Sequence, residues 1–227
     1  MAVEPGNAKA LESRDAALGP VTIRLTGTSK DYSGVAALSN VSVEFYAGEV
    51  HAVLGENGAG KSTLMSVISG VTQPDAGEIE FEGRQVSPMS PETAAALGIS
   101  ISYQHAALLD DLSVVENLRV ALPQSVFQGR PVRDVASEML SALGLEIPLH
   151  ARGDSLTVAQ KQLLEIAKAL AMRPKVLILD EPTASLDRES TELLFDRIRA
   201  VVKTGTSVIY ITHRLAEVRR IAHRVTV

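Results

Sequence analysis

The chain has no cysteine and no tryptophan, and aromatic residues make up only 4% of it. Without cysteine there can be no disulfide and no thiolate metal site. No stretch approaches the roughly 18 consecutive apolar residues that read as a membrane span. Nor is there an excess of basic residues: 22 Lys and Arg stand against 27 Asp and Glu, a formal net charge of -5. A nucleic-acid-binding domain is usually basic, so this balance argues against a nucleic-acid partner. The first twenty residues mix charges with Pro and Gly and lack the apolar core of a secretory signal, so residues 1–20 read as a flexible leader. No internal repeat or low-complexity tract is present. What remains is 227 residues with 45% hydrophobic content, enough for one domain with a sizeable core and room for a subdomain.

Against that background one motif dominates. Residues 55–63 read GENGAGKST, preceded by the apolar run VHAVL from Val50 to Leu54. A strand, a glycine-rich turn and a helix opening on Lys61 and Ser62 form a cradle for the anionic tail of a nucleoside triphosphate. Backbone N–H groups point inward, a lysine neutralises the terminal phosphates and a hydroxyl ligates magnesium. Gly55, Glu56, Asn57, Gly58, Ala59, Gly60, Lys61, Ser62 and Thr63 are therefore expected to contact the phosphates, with Ser62 also on the metal.

A second anchor is KVLILDEPTASLD, Lys175 to Asp187. Val176 to Leu179 is a continuous apolar run, as a parallel strand buried on both faces requires. It ends in Asp180-Glu181, and ligands in open α/β sheets sit at the carboxyl ends of strands. Adjacent carboxylates have divergent side chains and can take different work. Asp180 is expected on magnesium, directly or through water, and Glu181 as the general base that polarises an attacking water.

The pairing of GENGAGKST with LILDEPTASLD resembles the ATP-binding-cassette (ABC) ATPases, and further elements follow in that family's order over about residues 21–227. Gln104, after ISISY, resembles the family's Q-loop glutamine, which shares in magnesium binding and catalysis. LTVAQKQ, Leu156 to Gln162, stands in the signature position. His213 in VIYITHRL resembles the switch histidine, and Tyr32 in SKDYSGVAAL matches the aromatic that stacks on adenine. The resemblance implies ATP and Mg2+ as ligands and ATP hydrolysis as the activity. Each of these residues also has a plainer reading. Tyr32 could be a half-buried tyrosine of a sheet edge, His213 a satisfied core histidine, and Thr157 an ordinary helix N-cap. Asp187 reads as a cap of the next helix, and the resemblance implies that it also faces a partner cassette. His51, His105, His150 and His223 have no mutual spacing for a metal site.

The signature departs from the family's commonest pattern, LSGGQ. Thr157 keeps a hydroxyl, while Val158 and Ala159 replace two glycines, which normally allow close approach of backbone to phosphate; Gln160 completes the motif. With EIAKAL following, the segment is similar to the first cassette of tandem sugar-importer ATPases. The implied partners are a second cassette, in tandem or as a dimer partner, and transmembrane permease subunits. The implied location is cytoplasmic, peripheral on the inner face of the cell membrane, and the expected function is powering import of a simple sugar. The alternative in another class is a soluble ABC-type mechanochemical ATPase acting on ribosomes or DNA.

The expected architecture is α/β: a P-loop NTPase core of ABC type with a parallel sheet, an N-terminal antiparallel β layer and an inserted α-helical subdomain at about residues 105–154. Alternation marks strands at Val21–Leu25 and Val41–Phe45, and Gly77–Phe81 reads as another. Helices are expected at Lys61–Ile68, at Pro91–Leu97 with proline in its first turn, at Val114–Leu122, and along the face Val132, Val135, Met139 and Leu143. A helix over Arg188–Lys203, capped by Asp187, and one from Arg214 follow. Core strands are expected at Ile99–Tyr103, Val176–Leu179 and Val208–Thr212. Arg224 to Val227 begins a strand that the family would continue into a hairpin, so the chain reads as truncated at its C-terminus.

Overall fold

The computed structural model describes residues 19–103 and 107–227; Gln104 and most of the expected leader lie outside the described residues. Two long strands open the chain, β1 (Val21–Tyr32) and β2 (Val35–Tyr46). Ser33 and Gly34 turn between them with φ of 53° and 90°, the pair of positive values that suits a tight hairpin. Both strands are 12 residues long, where alternation marks only five in each. Their polar central stretches escape the pattern because the register shifts four times between them. Hydroxyls fill part of the interrupted ladder: Ser42 Oγ accepts from the Gly27 amide and Ser29 Oγ from the Asn40 amide, both at 2.9 Å.

Next come β3 (Val50–Leu54), α1 (Lys61–Ile68), β4 (Ala76–Phe81), β5 (Arg84–Gln85), α2 (Pro91–Leu97) and β6 (Ile99–Ser102). Three helices follow: α3 (Val114–Ala121), α4 (Gln124–Phe127) and α5 (Val132–Ala142). The chain closes with α6 (Val158–Ala171), β7 (Val176–Asp180), α7 (Arg188–Lys203), β8 (Ser207–Thr212), α8 (Leu215–Ile221) and β9 (Arg224–Thr226). Local chemistry sets several ends. Ser90 accepts from the Thr93 amide ahead of Pro91, and Ser113 with Glu116 forms a capping box at α3. Asp187 caps α7 by accepting from the Ser190 amide at 2.7 Å.

The strands form two sheets. One is antiparallel, in the order β2-β1-β4-β5; the other is parallel, in the order β6-β7-β8-β3-β9. Alternate residues of the parallel sheet feed two different cores. Ile178, Ile209 and Ile211 join Leu64 and Ile68 of α1 and the inner face of the antiparallel sheet, including Ile23, Phe45 and Phe81. Leu177, Leu179, Val208 and Tyr210 face the other way, onto α6 and α7 through Leu163, Ile166, Leu194 and Phe195. Full burial of each such side chain contributes about 1.5–3 kcal/mol. A third cluster joins Val114, Leu118, Phe127, Val135 and Leu140 of α3 to α5 with Leu156 and Leu164, so the start of α6 packs with the helical layer.

Register decides where the chemistry sits. Leu54 pairs with Thr212, and Asp180 with Ile211, so β3, β7 and β8 end together. The glycine-rich loop, the acidic pair and His213 therefore leave the sheet along one rim, the side on which open α/β sheets carry ligands.

Candidate functional site

The loop from Gly55 to Gly60 carries the chain from the end of β3 into α1. Gly58 and Gly60 have φ of 88° and 85°, in the left-handed region that glycine enters without a Cβ penalty. At Gly60 the need is doubled: a Cβ there would lie 2.4 Å from the Ala37 carbonyl oxygen of β2. The antiparallel sheet thus presses on the cradle from outside, a constraint that the motif alone does not reveal. Gly60→Ala is expected to destabilise the fold by about 1–3 kcal/mol through strain and clash. Thermal unfolding measures this, and a variant as stable as the parent would show that the contact yields. The first N–H groups of α1 have no intrahelical partner, and the helix dipole stands behind them. Glu56, Asn57, Gly58, Ala59 and Ser62 are exposed; Lys61 and Thr63 are half-buried. The Lys61 ammonium donates to the Gly55 and Glu56 carbonyls at 2.7 and 2.8 Å, lying along the loop it is expected to serve.

Asp180 closes β7 and is half-buried. Burial pushes its carboxyl above the ordinary carboxylate range and the neighbouring Glu181 carboxylate pushes the same way, while the Lys61 ammonium pulls it back down. Such a carboxylate gains by meeting a further cation. Among the described residues no cluster of three His, Asp or Glu side chains could hold a metal. Magnesium does not need one, since it binds through one or two carboxylates, substrate phosphates and waters. The Ser62 hydroxyl at the start of α1 and the Asp180 carboxylate fit that donor set.

Glu181 stands one residue further, at φ 44°, a left-handed conformation uncommon for a residue with a side chain. Its amide donates to the Ile211 carbonyl at 3.0 Å and its carbonyl accepts from the Ala184 amide at 3.1 Å, so the turn is held on both sides. The bend brings Glu181 Oε1 to 2.8 Å from His213 Nδ1. An ionised carboxylate only accepts, so Nδ1 carries the proton and Nε2 is the ring atom left for a ligand. The Glu181 side chain is 16% exposed and that of His213 is 53% exposed, a sheltered carboxylate beside a reachable ring. His213 is thus not a satisfied core histidine.

Tyr32 ends β1 with 46% of its surface exposed. Its hydroxyl reaches Thr72 at 3.5 Å, and the Lys30 ammonium lies 5.7 Å from the ring centroid. The ring is accessible to a stacking partner, and it also sits at the tip of a sheet hairpin. Gln104 lies outside the described residues. Thr157 caps α6 in a capping box, with Thr157 Oγ1 accepting from the Gln160 amide at 3.2 Å and Gln160 Oε1 from the Thr157 amide at 3.0 Å. Val158 is 72% exposed, Ala159 and Gln160 half-buried. Among the described residues no hydrogen bond or ion pair links these four to the rim. Of the histidines, His51 is buried and held down to about 4 by desolvation, with the Arg224 guanidinium adding to the effect. His223 Nδ1 accepts from the Val50 amide at 2.9 Å, and His150 is exposed.

A family model for ABC transporters matches residues 38–184, which take in the loop, the signature position and the acidic pair. The chain belongs to the ABC transporter family.

Among its relatives is a putative ribose/galactose/methyl galactoside import ATP-binding protein of Agrobacterium fabrum, 47% identical over 210 residues, covering 91% of this chain and 42% of that protein. The D-allose import ATP-binding protein of Escherichia coli is 41% identical, covering 90% of this chain and 42% of that one. The chain thus spans about 42% of the length of these curated relatives. Solved cassettes share the fold. A dimeric ATP-binding cassette in a post-hydrolysis state with ADP and Pi matches at a TM-score of 0.78 and 25% identity, over 90% of this chain and 96% of that one. A nucleotide-free cassette from an ABC transporter matches at 0.77 and 27%, over 89% and 85%. The α/β architecture with its parallel sheet, antiparallel layer and helices is that of an ABC cassette. No helix of the described residues is long and apolar enough to cross a membrane.

Proposed function

We propose that this cassette binds MgATP and hydrolyses it to ADP and phosphate, as one lobe of a two-lobed motor for sugar import. The observation that carries the reading is the 2.8 Å contact between Glu181 and His213, on the rim where the glycine-rich loop also ends. As we read it, that rim supplies phosphate donors, a metal carboxylate, a base and a ring for the transferred phosphoryl group. The relatives' names as sugar-import ATP-binding proteins favour import over mechanochemical work on ribosomes or DNA, and the net charge of -5 points the same way.

In this reading Tyr32 stacks on the adenine, and the Gly55–Thr63 loop holds the phosphates through backbone N–H groups and the Lys61 ammonium. Ser62 and Asp180 would hold magnesium, with Gln104 as a further contact. Magnesium held there would neutralise charge that develops during transfer. Glu181 Oε2, which His213 leaves free, takes the proton from the attacking water. His213 Nδ1–H fixes the carboxylate's orientation and its Nε2 faces the phosphoryl group.

Thr157, Val158, Ala159 and Gln160 act across an interface. Thr157 and Val158 are exposed and, among the described residues, the helix start has no bond to this chain's own rim, which favours service to a nucleotide held by a second cassette. The Thr157 hydroxyl, whose oxygen accepts from Gln160, still has its own proton to donate. Asp187 caps α7 and borders the same interface. Permease subunits would receive the motion through the helical layer, at about residues 105–154, and place the motor on the cytoplasmic face of the membrane. ATP drives closure only by binding the closed pair better than the open one.

The reading is tested by ATPase assays of the isolated chain across concentration. Turnover is expected to be weak, with activity per molecule rising about tenfold for a tenfold rise in concentration while the monomer dominates, by mass action. Robust turnover, independent of concentration, in a chain shown to be monomeric by light scattering would overturn the two-lobed arrangement. A chain that binds no nucleotide would overturn the ATPase assignment itself.

A further inference from the structure

Glu217 lies in the first turn of α8 and is only 7% exposed. A buried carboxylate is costly unless its lone pairs are satisfied. Here they are satisfied in a particular way. Oε1 accepts the Thr183 hydroxyl at 2.7 Å; Oε2 accepts the hydroxyls of Tyr210 at 2.8 Å and Thr212 at 3.2 Å. The Arg214 guanidinium approaches Oε1 at 3.4 Å, and the Arg214 amide donates to Thr212 Oγ1 at 3.0 Å.

These partners belong to two separate turns. Thr183 is two residues past Glu181; Thr212 and Arg214 flank His213. A single carboxylate therefore ties the turn leaving β7 to the turn leaving β8, and the side chains that meet across them are Glu181 and His213. We propose that Glu217 is a positioning residue for hydrolysis: its bonds to Thr183, Tyr210 and Thr212 hold Glu181 and His213 in mutual register. The left-handed backbone of Glu181 makes such a clamp necessary. A residue with a side chain in that region tends to relax unless its surroundings over-determine it, and relaxation would swing Glu181 Oε1 away from His213 Nδ1.

The inference rests on the proposed ATPase reading, and the experiment separates the two. Nucleotide affinity and MgATP turnover are measured for the wild-type chain and for Glu217→Gln, Thr183→Val and Glu49→Gln. Glu49 is a buried carboxylate at the opposite end of β3, bonded to Arg224 at 3.2 Å, and reports what loss of a buried charge does by itself. Glu217→Gln is expected to lower kcat at least tenfold with KM for MgATP changed less than twofold. Thr183→Val cuts only the link to the Glu181 turn and leaves α8 anchored by Tyr210 and Thr212, and is expected to lower kcat at least fivefold. Glu49→Gln should change kcat less than twofold.

Unchanged kcat in Glu217→Gln and Thr183→Val, or equal losses in Glu49→Gln, would overturn the positioning role. A second readout does not depend on turnover. The His213 Nδ1–H proton should give a downfield NMR resonance in the wild type that is lost in Glu217→Gln and in Thr183→Val; its persistence in both would also overturn it. A wild-type chain with that resonance but no nucleotide binding would sink the ATPase reading and leave the clamp standing.

Discussion

Replacing Glu181 by glutamine is expected to cut ATP turnover by about 100- to 10,000-fold, the usual worth of a positioned general base, while nucleotide affinity stays within about threefold. The substitution keeps the shape and the bend of the chain. It also keeps an oxygen that can accept from His213 Nδ1, the contact seen at 2.8 Å. What it removes is the basic oxygen proposed to take a proton from water. The proposed phosphate cradle is the loop after β3, and Glu181 makes no hydrogen bond to that loop among the described residues, so binding has no reason to fail. A second consequence is electrostatic. The Glu181 charge helps raise the Asp180 carboxyl, so the neutral amide lets Asp180 ionise more readily and favours its proposed hold on a metal. A bound-ATP state that persists without turnover, followed by filter binding and phosphate release, is the expected signature. Near-normal phosphate release would place the base elsewhere.

The parts of this site that were legible in the sequence share one property: each is a local string placed at a strand end. GENGAGKST follows an apolar run, Asp180-Glu181 ends another and His213 ends a third, so the strand pattern and the motif support one another. The helices of the core were legible for a similar reason, since caps and proline mark their ends. Lys61–Ile68 and Pro91–Leu97 fall where those signals put them. What was not legible depends on contacts between distant segments. The bond between Glu181 and His213 joins residues 32 positions apart. Gly60 reads as part of a phosphate loop, and nothing in the motif shows that Ala37 of β2 presses against it.

Glu217 shows the limit most clearly. In LAEVRRIAHR a glutamate among charged neighbours reads as a solvated helix face, yet the hydroxyls of Thr183, Tyr210 and Thr212 draw it inward. The middle of β1 and β2 was missed because period-2 alternation fails wherever the register shifts, even though the strands continue. Helix α4 was missed because four residues are too few to show a helical period.

Lys61→Ala is expected to weaken ATP binding by about 10- to 150-fold, the equivalent of the 1.5–3 kcal/mol typical of a hydrogen bond to a charged group. Two effects act in the same direction. First, the ammonium proposed to meet the terminal phosphates is gone, and no other cationic side chain is bonded into the loop among the described residues; Lys61 alone donates to the Gly55 and Glu56 carbonyls. Second, Lys61 is the group that pulls the Asp180 carboxyl down against burial and Glu181. Without it that carboxyl rises further, so Asp180 holds its proton to higher pH and competes less well for magnesium. The loss should therefore be larger for MgATP at the acidic end of the accessible pH range and smaller as pH rises, a dependence that loss of a phosphate contact alone would not bring. Titration with a fluorescent ATP analogue in magnesium at two pH values measures both effects. Affinity within twofold of the wild type would sink the cradle assignment, and a pH-independent loss would show that Lys61 acts on the phosphates alone.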